Sequence, residues 1–140
     1  MPRPFDIRER TVLFACDVGA FAQLLVNRGF MMRRLAGQLV DAGCSVGANA
    51  AEAPGGQTKP DFITKNCIAL KEAREARFWL RVIAASEPAM APRAEPLIAE
   101  TNELVAILHT IVKNAKANSK KHFVPSDFCL LTFCMPLFRP

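Results

Sequence analysis

The clearest indication of the fold lies between Thr58 and Pro88. This part of the sequence reads TKPDFITKNCIALKEAREARFWLRVIAASEP. Apolar and small residues recur in it at steps of four and three, the period of one face of a helix. The recurring positions are Phe62, Asn66, Ala69, Ala73, Ala76, Leu80 and Ile83. Thr58 with Asp61 three residues later is typical of an N-cap and an acidic first turn, and Glu87-Pro88 ends the pattern. The stretch therefore predicts a helix over residues 59–86.

The same steps occur in three further stretches and predict helices over about 6–27, 32–51 and 93–117. Gly29 is expected to cap the end of the first helix, and three prolines punctuate the approach to the fourth: Pro88, Pro92 and Pro96. Four amphipathic helices with short connections favour an all-α, antiparallel up-down-up-down four-helix bundle. Residues 1–118 would form this bundle. Residues 119–140 would form an apolar tail that is poorly ordered and too short to span a bilayer.

Glycines occur four residues apart in the predicted second helix, at Gly43 and Gly47. A glycine in a helix interior costs about 1 kcal/mol relative to alanine, so the pair needs a compensating reason. The two glycines predict either a close approach of a neighbouring helix or a kink.

Composition limits the class of protein. Hydrophobic residues make up 51% of the 140 residues, and 18 Lys and Arg against 13 Asp and Glu give a net charge of +5. This excess is compatible with an anionic partner such as RNA or DNA, and equally with an ordinary basic protein. The start MPRPFD does not resemble a signal peptide, and the five cysteines form no CxxC pair. A reducing, cytoplasmic location is therefore expected.

Several linked motifs resemble those of the four-helix-bundle family first noticed as reading frames in 23S rRNA intervening sequences. They are Ser45–Ala53 (SVGANAAEA), Thr58–Ile63 (TKPDFI), Lys71–Leu80 (KEAREARFWL) and Pro96–Ile107 (PLIAETNELVAI). The likeness runs from about Ile7 to Ala117. It implies a bundle, a homo-oligomer that is a ring-like homopentamer in relatives, and distant kinship with the basic accessory protein of diversity-generating retroelements. No enzymatic activity is established for that family.

The residues themselves indicate no catalytic, cofactor or metal site. Nucleophilic catalysis needs a nucleophile, a base and an orienting group, and the chain has only His109 and His122. His109 is interpreted as a helical histidine, because no Glu-x-x-His motif accompanies it. No enzyme activity, cofactor, small-molecule substrate or membrane partner is expected.

Two basic clusters are the candidate nucleic-acid contacts. One consists of Lys71, Arg74, Arg77 and Arg81, which fall within a sector of about 120° on the third helix. The other consists of Arg28, Arg33 and Arg34, at the turn between the first two helices. Ring symmetry would repeat the first cluster into a band that could hold a phosphate backbone. The alternative is that both clusters only keep the protein soluble.

Four further polar residues are interpreted as structural: Asn49, Glu52, Glu72 and Glu75. The first two would satisfy groups where the second helix ends. The other two would join a solvated face, with Lys71 and Glu75 spaced for an i, i+4 ion pair.

Two functions remain open. One is a non-enzymatic oligomer that binds RNA or DNA through its basic surface. The other is a protein–protein adaptor that presents its apolar helix faces or its tail and has no nucleic-acid role.

Overall fold

The computed structural model describes residues 6–121 of the chain, with side chains over 6–118. Four helices account for nearly all of this part, and it contains no strand. They are α1 (Ile7–Leu25), α2 (Phe30–Glu52), α3 (Lys59–Ser86) and α4 (Ala91–Lys121), with short 3₁₀ turns at Ala53–Gly55 and Pro88–Met90. The predicted all-α fold is confirmed.

The helices form an antiparallel up-down-up-down bundle. Each helix packs against the next one in the chain, and α1 contacts α4 to close the ring. The backbones of the diagonal pairs, α1 with α3 and α2 with α4, lie farther apart within the described residues. The arrangement is a square of helices around one core, as short connections between amphipathic helices require.

The core is made of the positions that the periodic pattern marks. The side chains without exposed surface include Phe14, Val18, Leu39, Leu80, Ile83, Leu104 and Leu108. The buried side chains of Thr11, Asn66 and Thr101 donate to the backbone of their own helix, whereas buried Glu100 accepts from Arg10 on α1. Asn66 Nδ2, for example, donates to the carbonyl oxygen of Phe62 at 2.8 Å. No buried side-chain nitrogen or oxygen in the described part of the chain lacks a partner.

The beginning of α3 confirms the predicted cap. The Thr58 hydroxyl accepts from the backbone N–H of Asp61 at 3.3 Å. The Asp61 carboxylate in turn accepts from the backbone N–H of Thr58 at 3.1 Å, which completes a capping box. Asp6 caps α1 in a similar way, by accepting from the backbone N–H of Arg8 at 2.9 Å.

Several helix ends differ from the predicted bounds, among them the beginning of α2, which is at Phe30 instead of residue 32. α1 ends at Leu25, and Gly29, with φ of 104°, stands at the N-cap of α2 instead of capping α1. Glycine is needed there because this conformation is essentially closed to other residues. α4 begins at Ala91, two residues earlier than predicted, so that Pro92 lies in its first turn, where proline is tolerated, and Pro96 lies inside the helix.

The far end of α4 also differs from the prediction. The helix continues to Lys121, so residues 119–121 of the predicted tail have helical backbone. Residues 122–140, and with them most of the predicted tail, lie outside the described residues.

The glycine pair of α2 marks a close approach of α1. A Cβ atom built on Gly43 would lie 3.0 Å from Val18 Cγ1, and one built on Gly47 would lie 3.5 Å from the carbonyl oxygen of Thr11. α2 runs unbroken through both positions. Of the two explanations predicted for these glycines, close packing is the one observed.

Candidate nucleic-acid interface

A basic groove lies between α3 and α4. Its volume is about 380 Å³, and its lining is Cys67, Leu70, Lys71 and Arg74 from α3 with His109, Val112, Lys113 and Lys116 from α4. Four of these residues are cationic, and none of the described lining residues is acidic. We call this surface the α3–α4 groove.

Helical spacing explains why these side chains converge. Cys67, Lys71 and Arg74 are separated by four and three residues, so they lie on one face of α3. His109, Lys113 and Lys116 repeat the same spacing on α4. Because α3 and α4 are antiparallel neighbours, the two faces border one groove, with Leu70 and Val112 buried beneath it.

The four cations predicted as one cluster on α3 lie in different surroundings. Lys71 and Arg74 line the α3–α4 groove, and Arg81 is exposed nearer the end of the helix. Arg77 is half-buried, and its Nη1 donates to Asn102 Oδ1 on α4 at 3.1 Å. Arg77 thus ties the two helices together beside the groove.

The second predicted cluster lies apart from the groove. Arg28 Nη1 is 3.1 Å from Glu87 Oε1, and Arg33 Nε donates to the Val26 carbonyl at 3.4 Å, while Arg34 is exposed. These residues border the turn between α1 and α2, at the end of the bundle where α3 stops. Arg74 precedes the end of α3 by twelve residues, or about 18 Å along the axis. Within one chain, Arg74 and the groove are therefore not brought together with the second cluster.

Each of the four polar residues that were interpreted as structural makes a contact with a nearby group. Asn49 Nδ2 donates to the Ser45 carbonyl at 2.9 Å, and Glu52 pairs with Lys65 of α3. Glu75 accepts from the Trp79 indole N–H at 3.3 Å, and Glu72 lies 3.5 Å from Lys71 Nζ. The ion pair of Lys71 is therefore formed with Glu72 and not with Glu75.

The model of the 23S rRNA-intervening sequence protein family matches residues 6–110. The chain belongs to this family. The resemblance seen in the motifs is thereby confirmed. The structure is also similar to the crystal structure of a protein of unknown function from the S23 ribosomal protein family of Bacteroides thetaiotaomicron. The two share 31% sequence identity with a TM-score of 0.70, over 76% of this chain and 98% of that one. No match was found among curated proteins.

The α3–α4 groove lies partly inside the match to the 23S rRNA-intervening sequence protein family. Lys71, Arg74 and His109 fall within residues 6–110, whereas Lys113 and Lys116 lie beyond them, in the last part of α4. Sequence reasoning missed these two lysines because α4 was read for its apolar seam. Their spacing from His109 was the available signal.

A second feature missed from the sequence is the exposed ring of Phe78. It is 55% exposed and belongs to the same helix as the cations, with Arg74 four residues before it and Arg81 three residues after it. Helical spacing of i, i+4 and i, i+3 places these side chains on one surface. An aromatic ring among cations is a pattern typical of nucleic-acid-binding surfaces.

The described residues carry no other evident chemistry. In this part of the chain, no group of three His, Cys, Asp or Glu residues is placed to hold a metal ion. None of its helices combines the length and apolar character that crossing a membrane requires. Arg10 differs from the cations of the groove because it is largely buried. Hydrogen bonds to Glu100 and Glu103 raise the pKa of Arg10.

Proposed function

We propose that this protein is a non-enzymatic nucleic-acid-binding bundle that holds the phosphate backbone of RNA or DNA in the α3–α4 groove. The observation that carries the proposal is the convergence of four cations from two helices on a surface with no acidic lining residue among those described. Lys and Arg that neutralise phosphates release condensed counterions, and this release drives non-specific binding.

The packing supports the groove over the cluster near Arg28 as the contact surface. Arg28 and Arg33 are exposed but already contact Glu87 and a backbone carbonyl. In the groove Lys71 is paired with Glu72, whereas Arg74, Lys113 and Lys116 are exposed and form no ion pair within the described residues. A cation that is paired within the protein must lose its partner before it binds a phosphate. Breaking that pair costs free energy and weakens the binding of the phosphate.

Salt dependence tests the proposal. Affinity for a generic RNA, measured by mobility shift, is expected to fall steeply between about 50 and about 200 mM salt. The double variant Lys71→Gln/Lys113→Gln should bind more weakly, and its slope of log K against log salt should be shallower by about 0.7 for each lost contact with a single strand.

The matched control is Arg93→Gln, an exposed cation on the other flank of α4. It should leave both the affinity and the salt slope unchanged. The proposal fails if the wild-type protein retards no RNA or DNA at either salt concentration, or if Arg93→Gln weakens binding as much as the groove variant does.

Exposed apolar side chains favour a protein partner as well, and we propose that this partner is another copy of the chain. Phe30 is 77% exposed and Met31 is 63% exposed at the start of α2, and Leu13 and Leu24 are exposed on α1. Exposed apolar patches mark interaction surfaces. In a ring, self-association would repeat the α3–α4 groove around the particle.

Light scattering gives the particle mass, and absorbance at 260 nm on the untreated sample reports bound nucleic acid. A single-chain mass at high concentration would overturn the self-association. If a different, specific protein co-purified through high salt and nuclease, the adaptor function would replace the proposed one.

A further inference from the structure

The exposed ring of Phe78 lies against the ring of Trp79. The two ring centroids are 4.9 Å apart, and the rings meet edge to face at 70°. Such pairs are favourable beyond the area that they bury. Phe78 therefore presents an oriented aromatic surface to solvent.

Trp79 is itself anchored. Its ring packs against the hydrophobic core, and its indole N–H donates to Glu75 Oε1 at 3.3 Å. Glu75 precedes Trp79 by one helical turn, so the contact lies within α3. The core thus supports the ring of Phe78 through one intervening side chain.

Cations flank the ring along the helix. Arg74 and Arg81 are exposed on either side of Phe78 and are seven residues apart, which corresponds to about 10 Å along the axis. This distance equals the rise of about three nucleotides in a stacked strand, at about 3.4 Å each. A strand crossing this surface would place its phosphates near arginines and a base near the ring.

We propose that Phe78 is a stacking platform for an unpaired base, so that the surface prefers single-stranded over duplex nucleic acid. The inference rests on the proposed function and adds the class of strand. Stacking on an aromatic side chain needs a base whose face is free. In a duplex each base is stacked on its neighbours, and only phosphates and groove edges remain to bind.

The test compares one RNA of about 12 nucleotides, within the usual range of single-strand sites, as a single strand and annealed to its complement. Anisotropy of a labelled strand gives both affinities. Phe78→Leu keeps an apolar side chain and removes the ring. It should weaken single-strand binding by about 5- to 150-fold, the equivalent of about 1–3 kcal/mol for one stacked base. Its effect on duplex affinity should be about twofold or less.

Two further readouts separate stacking from a structural role. Phe78→Tyr retains the ring and should restore single-strand affinity. Trp79 is the only tryptophan in the chain, so its emission should change when the single strand binds and not when the duplex binds. Equal losses for both RNAs in Phe78→Leu, or an unchanged single-strand affinity, would overturn the inference.

Failure of the inference is distinguishable from failure of the proposed function. If Phe78→Leu is neutral while Lys71→Gln/Lys113→Gln still weakens binding, the groove binds phosphates and the ring takes no part. If the wild-type protein binds neither RNA, both proposals fall.

Discussion

The two flanks of α4 make different contacts. Toward α3, half-buried Ile98 and Val105 pack against the core, and Arg77 reaches Asn102 from the neighbouring helix. Toward α1, an open groove of about 570 Å³ separates the helices, with Leu24 exposed at its edge. Between Ile98 and Val105 the α3-facing flank is closed by apolar packing, and it opens only farther along α4, at the α3–α4 groove. The α1-facing flank is open already between Pro92 and Leu97.

An ionic cluster joins α1 to α4 instead. Arg10 Nε and Nη2 donate to the two carboxylate oxygens of Glu100 at 2.7 and 2.9 Å, and Nη2 also contacts Glu103. The side chains of Arg10 and Glu100 are 13% and 6% exposed. Such a two-pronged pair fixes orientation as well as distance. The comparison shows that apolar packing and an oriented ionic cluster can hold opposite sides of one helix.

Removing the guanidinium should have the largest effect. Arg10→Met leaves the Glu100 carboxylate buried without its hydrogen bonds from Arg10. We expect the free energy of unfolding to fall by about 2 kcal/mol, less than the 3–5 kcal/mol of fully buried pairs because Glu103 and solvent border the cluster. Urea denaturation followed by circular dichroism measures this loss.

The control on the other flank is Arg77→Met, which should change the free energy of unfolding by about 0.5 kcal/mol or less. The double variant Arg10→Met/Glu100→Leu should recover most of the loss, since it removes both charges. If Arg10→Met costs no more than Arg77→Met, the ionic cluster does not hold α1 in place.

The glycines of α2 set how closely α2 packs on the other side of α1. Gly43→Ala should destabilise the protein by about 1 kcal/mol, because the new methyl group meets the stiff, buried Val18, and this crowding outweighs the gain in helix propensity. Gly47→Ala meets Thr11 only at ordinary contact distance and should stabilise by about 0.5–1 kcal/mol.

Thermal denaturation of the two single variants measures both signs. In a double-mutant cycle, Val18→Ala should cost less in the Gly43→Ala background than in the wild type. Equal effects of the two glycine substitutions would show that the contact between α1 and α2 is looser than the Gly43–Val18 distance indicates.

The smallest effect belongs to the cap of α1. Hydrogen bonds from the Arg8 side chain and backbone lower the pKa of Asp6 to about 2. A lowered pKa stabilises the fold above the ordinary value near 3.8, and this contribution is lost as the pH falls through about 2. Asp6→Asn keeps a capping side chain and removes the charge.

Urea midpoints of the wild type and Asp6→Asn should therefore differ slightly at pH about 6 and converge near pH 2. Because Asp6 lies at the surface, the difference should be the smallest of the three. A gap that persists unchanged to the lowest pH would contradict the role of the charge.

Local patterns predicted the local features of this fold. The spacing in Thr58–Pro88 indicated α3, and Thr58 with Asp61 indicated its cap, since both depend on residues within one or two turns. Gly29 was assigned to the wrong helix because its positive φ serves either the end of one helix or the beginning of the next. The periodicity indicated which residues are buried but not which helices pack closely on one another.

Only the α3 side of the candidate site was predictable from the sequence. Lys71 and Arg74 were found as a stripe on one helix, whereas Lys113 and Lys116 join them only because α4 returns antiparallel to α3. The ion pair of Arg10 with Glu100 could not be predicted from the residues near either of them, because the two are 90 positions apart in the chain. Contacts of this kind are set by the packing of helices, which a one-dimensional pattern does not contain.

The ionic cluster has a consequence for the order of folding. Arg10 and Glu100 are 90 positions apart in the chain, while every other pair of contacting helices is consecutive. Hairpins of consecutive helices close short loops and form first, and closing a long loop carries the larger entropic cost. The ionic cluster between α1 and α4 should therefore form after the rate-limiting barrier. Arg10→Met is expected to speed unfolding and leave refolding nearly unchanged, as the two arms of a chevron plot would report.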